Sequence, residues 1–364
     1  MWELIAQDTS RPVDIDRLQE VWTTFVERNS TYRSRLVTVQ WHAYQVVLKK
    51  PFSDNISTIQ CIAADLQGTI TRQRDTPLPN PHVPYRLTLF ETDANKVFLM
   101  MEQQHALDDA ASSSIFVDEW SQLYGGKTPN GKPVPFSKYI ASIHSSSRVS
   151  DKTFWTEYLK DISPCLLSSH DSPIHRGNLH STSIQLDYMR NITKFCATHD
   201  ITIAIFFKSL WAALLQRLTI LTDISFGYLV STRSAPGVET TGSTGFYPNM
   251  LIQRLNIDKS TKMTRVLDII QEDYGQALTH QFQALEALNA SIPSRVFGTL
   301  VNHRRHAIDT KETRPLRFEP VEWSDGMDVS IYRMTVFIML DLTYCCSSTL
   351  CLRLTNLRTI YKPP

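Results

Sequence analysis

The stretch MEQQHALDDAASSS at residues 101–114 puts one histidine, two aspartates and a run of serines within a few residues of each other. A neutral imidazole accepts a proton near neutral pH, so His105 has the chemistry of a general base. Asp109, four residues on, can cap a helix, orient the loop or pair with an arginine. Ser112 and its neighbours offer hydroxyls where a helix would begin. The set suits base catalysis with no metal and no nucleophile supplied by the protein. HxxxD alone fits an ordinary surface loop equally well, so its surroundings must decide. No GxSxG nucleophile elbow, P-loop, GxGxxG or HExxH occurs in the chain.

The flanking residues predict what holds this loop. KVFLMM before it is an apolar strand, and IFVDEWSQLYGG after it is an amphipathic helix. Phe116, Trp120, Leu123 and Tyr124 form the buried stripe of that helix, with Gly125 and Gly126 ending it. HVPYRLTLFETDANKVFLMMEQQ reads as a hairpin whose second strand leads into the motif. RPVDIDRLQEVWTTFVERNS is a helix started by Asp14 or Asp16, with Leu18, Val21, Trp22, Phe25 and Val26 on one face. RSRLVTVQWHAYQVVLKK is two strands and a turn, and NISTIQCIAADLQGTI is expected to be a short helix.

The second half repeats the rhythm. NITKFCATHDITIAIFFKSLWAALLQRLT predicts two helices, the second buried, and TKMTRVLDIIQEDYGQALTHQFQALEAL a long one. DISFGYLVSTR, GFYPNMLIQRLNI, RVFGTLVNHRRH and MDVSIYRMTVFIMLDLTYCC read as strands. SSHDSPIHRGNLHS at 168–181 lacks periodicity and is read as a crossing loop. Its histidines, His170, His175 and His180, are too irregularly spaced for a metal site. Helices and strands mixed in both halves predict an α/β (α+β) architecture with two sheets of similar make-up.

Composition narrows the function classes. The 364 residues are 42% hydrophobic, with Lys+Arg 37 against Asp+Glu 36 and a net charge of +1. That balance gives no basic footprint for nucleic acid, and no window reaches the roughly 20 apolar residues of a membrane span. The start has no basic and apolar signal pattern. None of the six cysteines sits in CxxC spacing, so free thiols in a reducing cytoplasm are expected, with no metal.

Several blocks in order resemble the condensation domains of fungal nonribosomal peptide synthetases. RNSTYRSRL (28–36) resembles RHxxLRTxF, and QHALDDA (104–110) resembles HHxxxDG. PFSKYIASI is similar to the YxDF block, and KTFWTEYLKD to the tryptophan-bearing helix before the lobe crossing. FGYLVSTR (226–233) resembles FGxxVSGR; GFYPNMLIQR (245–254) carries Gly245, Asn249 and Arg254 of GxxxNxxxxR. HQFQALE (280–286) shares His280, Gln281 and Glu286 with HQDYPFE, and FGTLVNHRR resembles FNTLVNYRR.

The resemblance implies two chloramphenicol-acetyltransferase-like lobes, residues 1–165 and 166–364, forming a V around a central tunnel. It implies amide formation by attack of an amine on a peptidyl thioester. The phosphopantetheine arm would come from partner carrier-protein domains, with no cofactor of the chain's own. By matching position His105 is the functional histidine and Asp109 the structural aspartate. Arg28 and Arg33 are expected partners of Asp109 or tunnel residues. Asn249, Arg254 and His280 line the tunnel or support it, with a packing role favoured.

Gln104 replaces the family's first histidine and Ala110 its glycine. Ala110 would be strained if the backbone there needed positive φ. His105, Asp109 and Ser112 also match the HxxxDxxS variant of terminal, cyclising domains, in which an internal amine releases the peptide. Relative to the family pattern the chain begins late and ends in a divergent tail, read as truncation that removes a first strand and a last helix. Two alternatives stay open: a non-catalytic remnant that binds carrier proteins, and a stand-alone coenzyme A-dependent acyltransferase. The DFGWG block of plant-type members of the latter class is absent.

Overall fold

The structure is a computed structural model that describes residues 1–8, 12–51, 56–78, 83–145, 149–167, 179–186, 188–282, 297–306, 314–321, 334–341 and 348–355. The chain opens with β1 (Trp2–Ala6), α1 (Ile15–Arg28), β2 (Ser34–Val39), β3 (His42–Val47) and β4 (Ile56–Cys61). α2 (Leu66–Asp75), β5 (Tyr85–Thr92), β6 (Val97–Gln103), α3 (Ala110–Tyr124), α4 (Phe136–Ser145) and α5 (Val149–Tyr158) follow. Then come β7 (Leu179–Gln185), α6 (Met189–Thr198), α7 (Ile203–Thr219), β8 (Asp223–Ser231), β9 (Pro248–Asn256) and α8 (Met263–Thr279). β10 (Thr299–His306), β11 (Leu316–Pro320), β12 (Met334–Asp341) and β13 (Ser348–Thr355) complete it.

The chain forms two compact units. The first comprises 1–144, 237–247 and 308–326; the second comprises 145–236, 248–307 and 327–364. The expected single cut after residue 165 therefore gives way to one between His144 and Ser145, with two excursions back. Backbone pairing is the reason. β11 needs a strand partner and finds β1, with Leu4 opposite Phe318. The 237–247 segment bonds into the first unit as well: Val134 N donates to Thr241 O (3.0 Å), and Thr31 Oγ1 donates to Thr244 O (2.6 Å).

In the first unit a five-stranded sheet runs β11-β1-β6-β5-β4. α1 and α3 lie against it, and their apolar stripes meet in the core. Leu18, Val21, Trp22, Phe25 and Val26 are buried on α1, as are Phe116, Val117, Trp120 and Leu123 on α3. Trp120 and Phe116 rings lie 4.9 Å apart, and Phe25 meets Phe116 edge-on at 5.3 Å. Packing of this kind stiffens the platform from which the motif loop leaves. Two elements differ from expectation. Residues 56–61 form β4, parallel to β5, rather than a helix, because the β-branched Ile56, Thr58 and Ile59 suit a sheet edge. Trp2–Ala6 is a strand in the interior of the sheet order.

In the second unit a six-stranded sheet runs β7-β13-β12-β10-β8-β9. Its core joins Trp155 of α5, Trp211 and Leu215 of α7, Phe226 of β8 and Ile270 of α8. The expected crossing loop at 168–181 gives up its end to β7; residues 168–178 lie outside the described residues. The divergent tail supplies β13, antiparallel to both β12 and β7. Cys61, Cys165 and Cys196 are free thiols, the latter two buried. Glu286 of the HQFQALE block lies outside the described residues.

Candidate active site

The motif loop is clamped at both ends. Where β6 stops, Gln104 N donates to Pro84 O (2.8 Å) and Leu107 N donates to Gln104 O (3.0 Å), closing a short 3-10 turn over His105–Leu107. Leu107 is fully buried and anchors the turn in the core. At the other end Asp109 is the N-cap of α3: its Oδ1 accepts from Ser112 N and from Ser112 Oγ, each at 2.8 Å. One of the helix's orphan backbone N–H groups, that of Ser112, is settled locally in this way. Between the anchors, Gln104, His105 and Ala106 are exposed. The His105 ring meets the edge of Phe246 at 5.4 Å.

Phe246 arrives on the returning 237–247 segment, and Gly245 explains how it comes so close. Gly245 N donates to Ser112 Oγ, and Ser112 Oγ lies 3.0 Å from Gly245 O. Gly245 has φ +155°, and any Cβ there would overlap the Phe136 ring. Only glycine satisfies both demands. The glycine of the GFYPN block thus ties the segment to the helix that follows the histidine.

Ala110 is the first residue of α3 and is not among the left-handed residues of the chain. The glycine-to-alanine exchange therefore brings none of the strain that a positive φ would impose. Gln104 supports the loop through its backbone, and its side chain is exposed.

The arginines expected beside Asp109 are engaged elsewhere. Arg28 Nε lies 3.5 Å from Glu119 Oε2, and its Nη2 donates to Gly131 O (3.0 Å). Arg33 Nη1 donates to Leu48 O (2.6 Å). Glu119 sits ten residues along α3 from its cap, a displacement of about 15 Å at 1.5 Å per residue. The end of α1 meets the helix at that level.

Asp108, which sequence reasoning passed over, lies beneath the loop. It is buried, and its Oδ2 accepts from Gln103 Nε2 (2.6 Å) and Ser113 Oγ (3.1 Å). Burial pushes its carboxyl above the ordinary carboxylate value, and those two hydrogen bonds oppose the shift. Its Oδ1 has no hydrogen-bond partner among the described residues.

The remaining candidates sit in the second unit. Arg254 chelates Asp223 through Nε and Nη2 (both 2.9 Å) and donates from Nη1 to the carbonyls of Tyr158 and Lys160. Asn249 donates from Nδ2 to Gln281 O and accepts from Met250 N at Oδ1 (2.8 Å). His280 ends α8, stacks on Phe154 at 4.3 Å and places Nδ1 3.0 Å from Asp151 Oδ1.

An α/β chain built around a five-stranded and a six-stranded sheet, with an HxxxD histidine on a strand-to-helix loop, defines a class of acyltransferase-like folds. The profile described as "Condensation domain" matches residues 6–315, and the chain belongs to that family. It is 27% identical over 366 residues to the FR901469 synthetase of Dothideomycetidae sp. (strain 11243), across 93% of this chain and 2% of that protein. It is 28% identical to Nonribosomal peptide synthetase 32 of Fusarium pseudograminearum (strain CS3096), across 94% of this chain and 4% of that protein. The chain thus spans a small fraction of these relatives' length. Among solved structures, the condensation domain from the monacolin K polyketide synthase MokA superposes with a TM-score of 0.79 at 18% identity, over 99% of this chain and 87% of that one. At that identity the likeness shows the fold, of the chloramphenicol-acetyltransferase-like kind.

Proposed function

We propose that the chain forms an amide bond by condensation: an amine attacks the carbonyl carbon of a peptidyl thioester held on a carrier protein. The C–N bond forms as the C–S bond breaks, and the amine proton passes to the leaving thiolate. His105 accepts that proton or orients the amine lone pair. Asp109, Ser112 and Gln104 hold the loop, and the phosphopantetheine arm belongs to the carrier partner. The observation that carries this reading is the exposed His105 imidazole on a loop held upstream by the Gln104 N–Pro84 O hydrogen bond and downstream by buried Leu107 and the Asp109-capped helix. A base held in place needs little covalent assistance when both substrates are brought together, because proximity supplies much of the rate. His105, Asp109 and Ser112 match the cyclising variant, so the amine is proposed to belong to the same peptide.

The test is a single-turnover assay with a synthetic thioester-loaded carrier protein. His105→Ala is expected to lower amide formation by about 10²–10⁴-fold, the range of a positioned acid–base group, with carrier binding retained. Equal turnover by both proteins would remove His105 from the chemistry. Carrier binding without turnover by the unaltered protein would favour the second reading, a binding module, which the Gln104 and Ala110 departures motivate.

A further inference from the structure

The buried face of α7 holds Ile205, Phe207, Trp211, Ala212 and Leu215, and in their midst Lys208, which is 3% exposed. A lysine on a core face ordinarily carries its ammonium out to water along its flexible stem. Lys208 does not. Its Nζ lies 3.9 Å from the centroid of the Tyr274 ring and 4.2 Å from that of Tyr228. Aromatic faces attract a cation but accept no ordinary hydrogen bond. Among the described residues Lys208 Nζ has no hydrogen-bond acceptor. The nearby carboxylate, Asp273, is engaged by the Tyr158 hydroxyl (3.0 Å) and Gln253 Nε2 (2.9 Å). Burial lowers the Lys208 pKa to about 7, and Asp273 opposes that shift.

A cavity of about 620 Å³ adjoins this lysine, walled in part by Tyr228, Val230, Tyr274, Leu278 and Gln281. Its size falls within the range of small-molecule pockets. The unmatched lysine donor therefore borders a largely apolar space. Buried polar groups without partners are rare in folded proteins, and a ligand is one thing that completes them.

We propose that this cavity of the second unit binds a carboxylate on a compact apolar body, with Lys208 as its hydrogen-bond donor. The apolar walls take the body, and the two tyrosine rings keep the ammonium fixed beside the carboxylate. This goes beyond the proposed condensation, and its test involves no turnover.

The experiment is calorimetric titration of the full chain with hexanoate at pH 8, in two buffers of different ionisation enthalpy, with hexanamide as the neutral control. At pH 8 Lys208 is largely neutral, so binding of the carboxylate should draw close to one proton onto it. Hexanamide should bind without proton uptake. Lys208→Met keeps the stem and removes the charge; it should weaken hexanoate at least tenfold and abolish the uptake. Leu278→Trp should block both probes by filling the space while leaving Lys208 in place. The titratable and charged groups around Lys208 are Asp273, Tyr228 and Tyr274, and His303 lines the same cavity. Uptake that persists in Lys208→Met would point to one of those and overturn the assignment. Unchanged affinity in that variant, or no saturable binding of hexanoate by the unaltered chain, would overturn it as well.

Discussion

His105 and His280 both fall in blocks that resemble family motifs, yet their surroundings differ in kind. His105 is exposed on a loop held from both sides, with its ring touching one aromatic edge. His280 is sandwiched: Phe154 covers its face, and Asp151, itself buried, meets Nδ1. Its carbonyl also accepts from Trp155 Nε1 at 2.9 Å. A histidine whose ring nitrogen and face are engaged by its own fold acts as a brace between helices. One whose ring is left accessible on a rigid loop can meet a substrate. Motif membership did not separate the two; partner count and exposure did.

The sharpest way to break this contrast is to exchange the readouts. His105→Ala should remove about two to four decades of amide formation while barely shifting the melting temperature. His280→Ala should do the reverse. Losing the stack and a hydrogen bond to a buried acid should cost about 2–3 kcal/mol by denaturant unfolding, with single-turnover rates on the folded fraction unchanged. A large rate loss in His280→Ala with intact stability would erase the distinction.

Smaller effects sharpen the picture around the loop. As an N-cap, Asp109 should tolerate Asn, which caps equally well, whereas Asp109→Ala should cost about 1 kcal/mol. An Asn variant as destabilised as the Ala variant would show that Asp109 acts through its charge rather than as a cap. The smallest effect concerns Asp108. Its folded pKa lies above the ordinary 3.8, so the folded protein binds more protons than the unfolded chain between those two values. Stability from this group is full below 3.8 and is lost as pH rises through the raised folded value. Denaturant curves for the unaltered chain and Asp108→Asn should therefore converge or cross as pH falls through that window. Parallel curves across it would mean that the carboxyl is not shifted.

The corrections share a cause. Residues 56–61 carry Ile56 and Ile59 close to a helix-forming stretch, and sequence pattern alone merged them with α2; the parallel pairing to β5 separates them. The sequence sets the expected unit boundary after residue 165, just before the polar stretch 168–181, but the strand and loop that return to the first unit are distant in sequence from the partners that hold them. Arg28 had the right charge for Asp109 but meets α3 at Glu119, and Arg33 is engaged by the Leu48 carbonyl.

Periodicity and turn chemistry determined much by themselves. The stripes of α1 and α3, the β5–β6 hairpin and the position of His105 between strand and helix follow from local spacing, because a helix face and a strand face are set by neighbours a few residues away. The ordered blocks in the sequence were enough to suggest the family. Only the tertiary structure decided which polar groups are buried and whom they meet. Gly245 against Ser112, and Lys208 between Tyr228 and Tyr274, depend on contacts from residues far along the chain. Desolvation acts through space rather than along the sequence, so the pKa of a buried carboxyl or ammonium is settled only when the packing around it is complete.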